Sequence, residues 1–229
     1  MKILVLMLLL LPLAWNAAAQ TRLNAGLKRE LDSLYAVDQR WRAMLFDRRI
    51  NRRPDSLATA LGVDKAYLSQ YIGRRMQQTD SSNIGRVRAI LKQYGYPGKA
   101  LVGQPTNEAA WAVVQHSDDI TTYLPLIKKA ATRGELPYYL YAQMLDRQLM
   151  RAGKPQRYGT QALGYNVTNP ATGRRTPQPP FIWPIKDATG VNARRQKAGF
   201  TTTVEQNAAI LGIPYRVVTL KDVAQMPKN

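Results

Sequence analysis

Apolar residues return at three- and four-residue steps along most of the chain. Leu23, Leu27, Leu31, Leu34, Trp41 and Leu45 trace one stripe, with Trp41 two turns beyond Leu34. That spacing predicts an amphipathic helix from Leu23 to about Phe46. Asn51-Arg52-Arg53-Pro54 breaks it, and Pro54 opens a short helix ending near Gly62. Asp64 is placed to cap a helix over Lys65 to Gln77, and Asp80-Ser81-Ser82-Asn83 to start another that runs to Tyr94. Gly95-Tyr96-Pro97-Gly98 stops it. Thr106 or Asn107 then starts a helix through Trp111 to about Ser117. Asp118 or Asp119 heads the next, from Ile120 to Thr132. After the Arg133-Gly134-Glu135 hinge, Leu136 to Ala152 reads as a strong helix ended by Gly153-Lys154-Pro155.

From Tyr158 the periodicity changes. YGTQALGYNV and RRTPQPPFIWPI flank the turn-rich stretch Thr168 to Gly173, which predicts a hairpin or an extended arm. Val191 to Lys197 and Thr202 to Leu211 read as closing helices. No internal repeat and no low-complexity linker is present. The expected fold is mainly α (α+β): a single helical domain with a small β-hairpin or extended arm in its C-terminal third.

The first 20 residues change the picture. Lys2 is followed by an apolar run, Ile3 to Trp15, interrupted only by Pro12, and then by Ala17-Ala18-Ala19. This is the pattern of a secretory signal peptide, residues 1–19, with cleavage after Ala19. The run is too short for the roughly 20 residues that span a bilayer. The mature chain, residues 20–229, is then one exported domain, periplasmic or secreted, with no transmembrane segment. It contains no cysteine, so neither a disulfide, a thiol nucleophile nor a lipid-modified Cys is available.

Formal net charge is +18, from 33 Lys+Arg against 15 Asp+Glu. The excess is even: residues 20–100 hold 16 basic and 7 acidic side chains, and residues 101–229 hold 16 and 8. Evenly spread charge favours loose attraction to anionic envelope polymers rather than a nucleic-acid groove. Residues 57–73, LATALGVDKAYLSQYIG, do carry the spacing of a DNA-binding helix-turn-helix. Export removes the protein from DNA, and any tight helix pair yields the same pattern, so a nucleic-acid partner is the remote reading.

The candidate chemistry lies in residues 111–161. His116 is the only histidine and shares a helix face with Ala109, Ala112 and Val113. Asp146 shares a face with Tyr139, Ala142, Leu149 and Met150. An ionisable group on an apolar stripe is either buried with partners or lines a cleft. His116, Arg147 and the Tyr158 hydroxyl are the candidate partners of Asp146. In a catalytic reading His116 is general acid or base, oriented by Asp146 or Asp119. Arg147 then holds an anionic group, and Gln115, Gln156, Thr160 and Gln161 orient a polar substrate. The alternative is a buried hydrogen-bond network that fixes the hairpin on the helices. No cofactor is implied. With one His and no Cys, a zinc site needs mostly carboxylates; Asp118, Asp119 and Asp146 offer oxygens for Mg²⁺ or Ca²⁺, but no EF-hand spacing is present.

DQRWR (38–42), DSSN (80–83), YGYP (94–97), QHSD (115–118), LDR (145–147), QRYGTQ (156–161), WPIKD (183–187) and NARRQKAGF (192–200) follow one another along the chain. In that order they resemble the motifs of an uncharacterised bacterial family, domain of unknown function 6624, over about residues 30–200. The resemblance implies that Gln115, His116, Asp146, Arg147, Gln156, Tyr158, Gly159, Thr160 and Gln161 are signature positions. It implies no activity. Two readings therefore stand: a hydrolase-type enzyme acting on a polar or anionic envelope substrate, or a non-enzymatic envelope protein that binds acidic polymers or a protein partner. An enzyme requires a cleft containing His116. A binding module requires a basic or aromatic surface away from it.

Overall fold

A computed structural model describes residues 23–169 and 171–226. The predicted signal peptide lies outside the described residues. Helix α1 (Ala25–Phe46) opens on Asn24, whose side chain accepts from the Leu27 N–H. Two short helices follow, α2 (Arg48–Asn51) and α3 (Pro54–Leu61), the latter with proline in its first turn. Gly62 ends α3 in the left-handed conformation, φ 65°. One turn of 3₁₀ helix, Lys65–Tyr67, leads into α4 (Leu68–Tyr94).

The two helices expected over 65–77 and from 80 to 94 are one continuous helix. The polar run Gln77 to Asn83 does not break α4, because its side chains have tertiary partners: Asp80 binds Arg42, and the Asn83 amide donates to the Leu34 carbonyl. Short α5 (Lys99–Val102), a 3₁₀ turn at Thr106–Glu108 and α6 (Ala109–Val114) carry the chain into the core. Helices α7 (Ile120–Thr132) and α8 (Tyr138–Arg151) pack on one another.

Strands β1 (Ala162–Thr168) and β2 (Arg175–Ile182) form the expected antiparallel hairpin. Its register slips at Gly164, between the Leu163–Phe181 and Tyr165–Gln178 pairs. Helix α9 (Val191–Lys197) and α10 (Val204–Ile210) close the domain, α10 through a capping box of Thr203 and Gln206. A last helix, α11 (Leu220–Gln225), was not expected from the sequence pattern. Among the described residues no helix is long and apolar enough to cross a membrane.

The main core is Leu27 and Leu31 of α1, Ile84, Val87 and Ile90 of α4, all of α6, Ile127 of α7 and Leu140 of α8. Every residue of α6 is buried, so this six-residue helix is the axis around which α1, α4 and α7 pack. Ala58, Leu61, Val63, Leu68 and Tyr71, the apolar positions of the helix-turn-helix spacing, pack with Trp41, Leu57 and Ile72 into a separate small core. That pattern is accounted for by seating α3 against α1 and α4.

Candidate functional site

The apolar stripe of α1 has one carboxylate in it. Leu27, Leu31, Asp38 and Trp41 are its buried positions, and Asp38 fills the turn between Leu34 and Trp41. A buried carboxylate needs charge and hydrogen-bond partners. Arg42, one turn on, supplies them: its Nη1 donates to Asp38 Oδ1 at 3.0 Å and to the Asp38 carbonyl at 2.7 Å. Its Nη2 reaches across to α4 and donates to both oxygens of Asp80, at 2.8 Å each. The second Asp38 oxygen accepts from Gln39 Nε2 at 2.7 Å.

His116 lies just beyond the C-terminus of α6, where the buried helix brings it against α1. Its Nδ1 is 3.4 Å from Asp38 Oδ1, at the long end of hydrogen-bonding range. The Asp38 side chain is 0% exposed and that of His116 is 17% exposed. The carboxylate is therefore sealed in while the ring remains reachable. Nε2 has no hydrogen-bond partner among the described residues. The ring lines an open cleft of about 310 Å³ whose other walls include Gln77, Asp80, Ser81, Arg88 and Ser117. Ser117 is occupied, donating to the Val114 carbonyl and accepting from the Asp119 N–H. Asp119 pairs with Arg88 on the rim rather than orienting His116.

Arg147 comes to the same region from α8. Its Nη1 donates to the Gln115 carbonyl at 3.3 Å. Burial lowers its pKa most, followed by the like charges of Arg151 and Arg42. No carboxylate offsets these. Arg151 in turn donates to the Ser117 carbonyl. Two guanidiniums of α8 thus embrace the Gln115–Ser117 segment.

Asp146 forms no hydrogen bond with His116, contrary to the expectation from the sequence; its oxygens are taken by the 157–160 loop. The two residues serve different structures. Asp146 is buried and turned toward the loop 156–161. Its Oδ1 accepts from the Arg157 N–H at 2.7 Å, and its Oδ2 accepts from the N–H of Tyr158 at 3.0 Å and of Thr160 at 3.1 Å, and from Thr160 Oγ1 at 3.0 Å. Burial raises its pKa, and the loop N–H groups pull it down in part. The loop needs this ligand because Gly159 turns it through φ +67°, leaving successive N–H groups pointing inward. Buried Gln156 completes the knot: its Nε2 donates to the carbonyls of Gln161 and Trp183, and its Oε1 accepts from the Gln161 N–H. Buried Arg195 donates to the Tyr158 carbonyl from the other side. Tyr158 itself packs against Phe200, and burial pushes its phenol up to about 12.

The predicted residues therefore divide. His116 lines the cleft, and Arg147 holds the carbonyl of the preceding Gln115 beside it. Asp146, Gln156, Tyr158, Thr160 and Gln161 build the loop that joins the hairpin to α8. Asp80 lines the cleft, and Asp38 and Arg42 lie behind His116 and Asp80; all three fall in the DQRWR and DSSN motifs but are not among the site residues expected from the sequence. The signal was present in the two-turn gap between Leu34 and Trp41, where the stripe continues through Asp38. Among the described residues no group of three or more His, Asp or Glu is placed to hold a metal ion.

A family model, that of a family of unknown function (DUF6624), matches residues 27–217. No curated protein and no solved structure matches the chain.

Proposed function

We propose that this chain, which belongs to the DUF6624 family, is an exported acid–base enzyme of hydrolase type that acts at His116 on a polar or anionic substrate. Export rests on the signal-peptide pattern of residues 1–19. The observation that carries the catalytic reading is the His116–Asp38 pair: Nδ1 faces a sealed carboxylate, Nε2 has no hydrogen-bond partner among the described residues, and the residue lines an open cleft.

The roles follow from that arrangement. Asp38 accepts from Nδ1–H and so selects the tautomer whose Nε2 is a free base. Arg42 balances the Asp38 charge and, through Asp80, ties α1 to α4 beside the cleft. Nε2 takes a proton from a water in the cleft as that water attacks, and returns it to the leaving group. Arg147 is the guanidinium available for an anionic portion of the substrate or for negative charge that develops on it. Gln115 is the hinge between them through its carbonyl contact with Arg147.

The single histidine makes the test unambiguous. In ¹⁵N NMR of the whole protein, neutral His116 should carry its proton on Nδ1, and Asp38→Asn should redistribute it. A panel of phosphate, acyl and glycosyl esters then supplies the activity. On any substrate that is turned over, His116→Ala should lower kcat by about 10²–10⁴-fold, the usual size of a general acid–base contribution. A proton on Nε2 in the wild type, or turnover that survives His116→Ala unchanged, rejects the proposal.

A further inference from the structure

A second cleft, of about 460 Å³, opens beside the loop that Asp146 anchors. It is lined by Leu149, Pro155, Arg157, Lys186, Asp187 and Arg194. Three separate stretches of chain meet there, and their backbones are locked together. The Gln156 N–H donates to the Pro184 carbonyl at 2.9 Å, and the Lys186 N–H to the Gln156 carbonyl at 2.8 Å. This short parallel bridge sets Arg157 and Lys186 on the same rim. The Arg157 N–H is held in addition by Asp146.

Arg194 lines this cleft too and is tied down by four hydrogen bonds. Its Nε donates to the Arg157 carbonyl, its Nη2 to the carbonyls of Lys186 and Asp187, and its Nη1 to Asp187 Oδ2 at 2.7 Å. Asp187 sits at φ 52°, in the left-handed region, and is the sole residue other than glycine to do so among those described. Thr189 Oγ1 also donates to it. Gly190 leaves the room this needs, because a Cβ there would come within 2.6 Å of Asp187 Oδ2 and 2.8 Å of Arg194 Nη1. Strained backbone of this kind persists where its surroundings over-determine it, and it concentrates at binding sites.

The charge balance of this cleft is incomplete within the chain. Arg194 and Asp187 neutralise one another. The side chains of Arg157 and Lys186 form no hydrogen bond and no ion pair among the described residues. Two positive charges thus stand beside the rigid, neutral Arg194–Asp187 pair and the apolar wall of Leu149 and Pro155. Two cations facing one concave space match a single centre that carries about two negative charges, as a phosphate monoester does near neutral pH. A volume of this size admits a small molecule rather than a polymer chain.

We propose that this cleft binds a small phosphate-bearing ligand, with the phosphate between Arg157 and Lys186 and an apolar portion against Leu149 and Pro155. The site is separate from the His116 cleft and does not depend on the reading given to it.

The test titrates the whole protein with inorganic phosphate, phenyl phosphate and malonate at fixed ionic strength, using calorimetry and ³¹P line broadening. Both phosphates should bind, phenyl phosphate the more tightly. The double variant Arg157→Gln/Lys186→Gln should weaken both by at least about tenfold, the effect of losing roughly 1.4 kcal/mol. Neither side chain bonds to the protein, so the melting temperature of the double variant without ligand should match the wild type. Arg147→Gln should leave phosphate binding intact. Undiminished binding by the double variant overturns the proposal. So does an equal loss in Arg147→Gln, which would put the anion in the His116 cleft. Malonate binding as tightly as phosphate overturns the phosphate assignment.

Discussion

Asp146→Ala and His116→Ala should differ sharply in stability, although both remove an ionisable side chain set among apolar neighbours. Asp146 satisfies three backbone N–H groups and the Thr160 hydroxyl, all in the 157–160 loop. Truncation strands the three N–H donors. At about 1–3 kcal/mol for each unsatisfied buried group the cost spans roughly 3–9 kcal/mol. Relief of the buried carboxylate's own desolvation, together with entry of water, brings it to the lower half, about 3–5 kcal/mol. Loss of His116 strands little. Asp38 keeps Arg42 and Gln39, and its bond to the ring is 3.4 Å long. That variant should lose under about 1 kcal/mol. For a chain of this length the first difference corresponds to a fall in Tm of about 6–20 °C and the second to a few degrees at most. Urea unfolding followed by circular dichroism measures both, with m unchanged as the check that the comparison is two-state. Asp146→Ala within about 1 kcal/mol of wild type would refute the assignment of Asp146 as the anchor of the loop. His116→Ala costing as much as Asp146→Ala would refute the separation of cleft from scaffold.

Further outcomes follow from the same geometry. Gly159→Ala should cost about 2–5 kcal/mol by urea unfolding, because a Cβ would stand 2.5 Å from Val204 Cγ2 at φ +67°; Val204→Ala in the same chain should restore part of the loss. Tyr158 has a folded pKa raised to about 12, so its contribution is full below the ordinary phenol value of about 10 and is lost as pH rises toward 12. Ultraviolet titration should show one phenol ionising near pH 12 that is missing from Tyr158→Phe. Acid has the opposite sign. Glu30, Asp32 and Glu205 have lowered pKa values through hydrogen bonds from Arg86, from Lys28 and Thr106, and from Asn192 respectively. Their stabilisation is present above about pH 4 and lost as pH falls through the lowered values, so wild-type stability should decline below about pH 4. The raised pKa of Asp146 opposes that trend, since its protonation on acidification relieves a burial cost. Asp146→Asn should therefore show a steeper acid decline than the wild type.

The elements that apolar periodicity misplaces lie next to the site. Periodicity located α1, α3, α7, α8 and the hairpin because each depends on a local apolar face or a turn signal. The reading broke α4 in two because Gln77 to Asn83 carries no apolar residue. It skipped Asp38 because a carboxylate does not count toward a stripe. These two interruptions lie opposite one another in the fold, bridged by the Arg42–Asp80 ion pair. A helix gives up apolar positions in mid-length where something other than core lies beside it: on α4 that is the cleft lined by His116, and on α1 it is the buried carboxylate that faces the same histidine. His116 and Asp146 were selected by one criterion, ionisable groups on apolar faces, and the fold put them to different uses. Burial alone cannot separate the two cases. What separates them is the use of hydrogen-bonding capacity: Asp146 has its oxygens filled by backbone donors of a loop that would otherwise be unsatisfied, whereas His116 retains a ring nitrogen with no partner among the described residues. The same criterion, applied to cations, separates Arg194 and Arg195, whose donors are taken up by carbonyls, from Arg157 and Lys186, whose donors are not. Unfilled donors and acceptors on a fixed framework mark where this protein meets something other than itself.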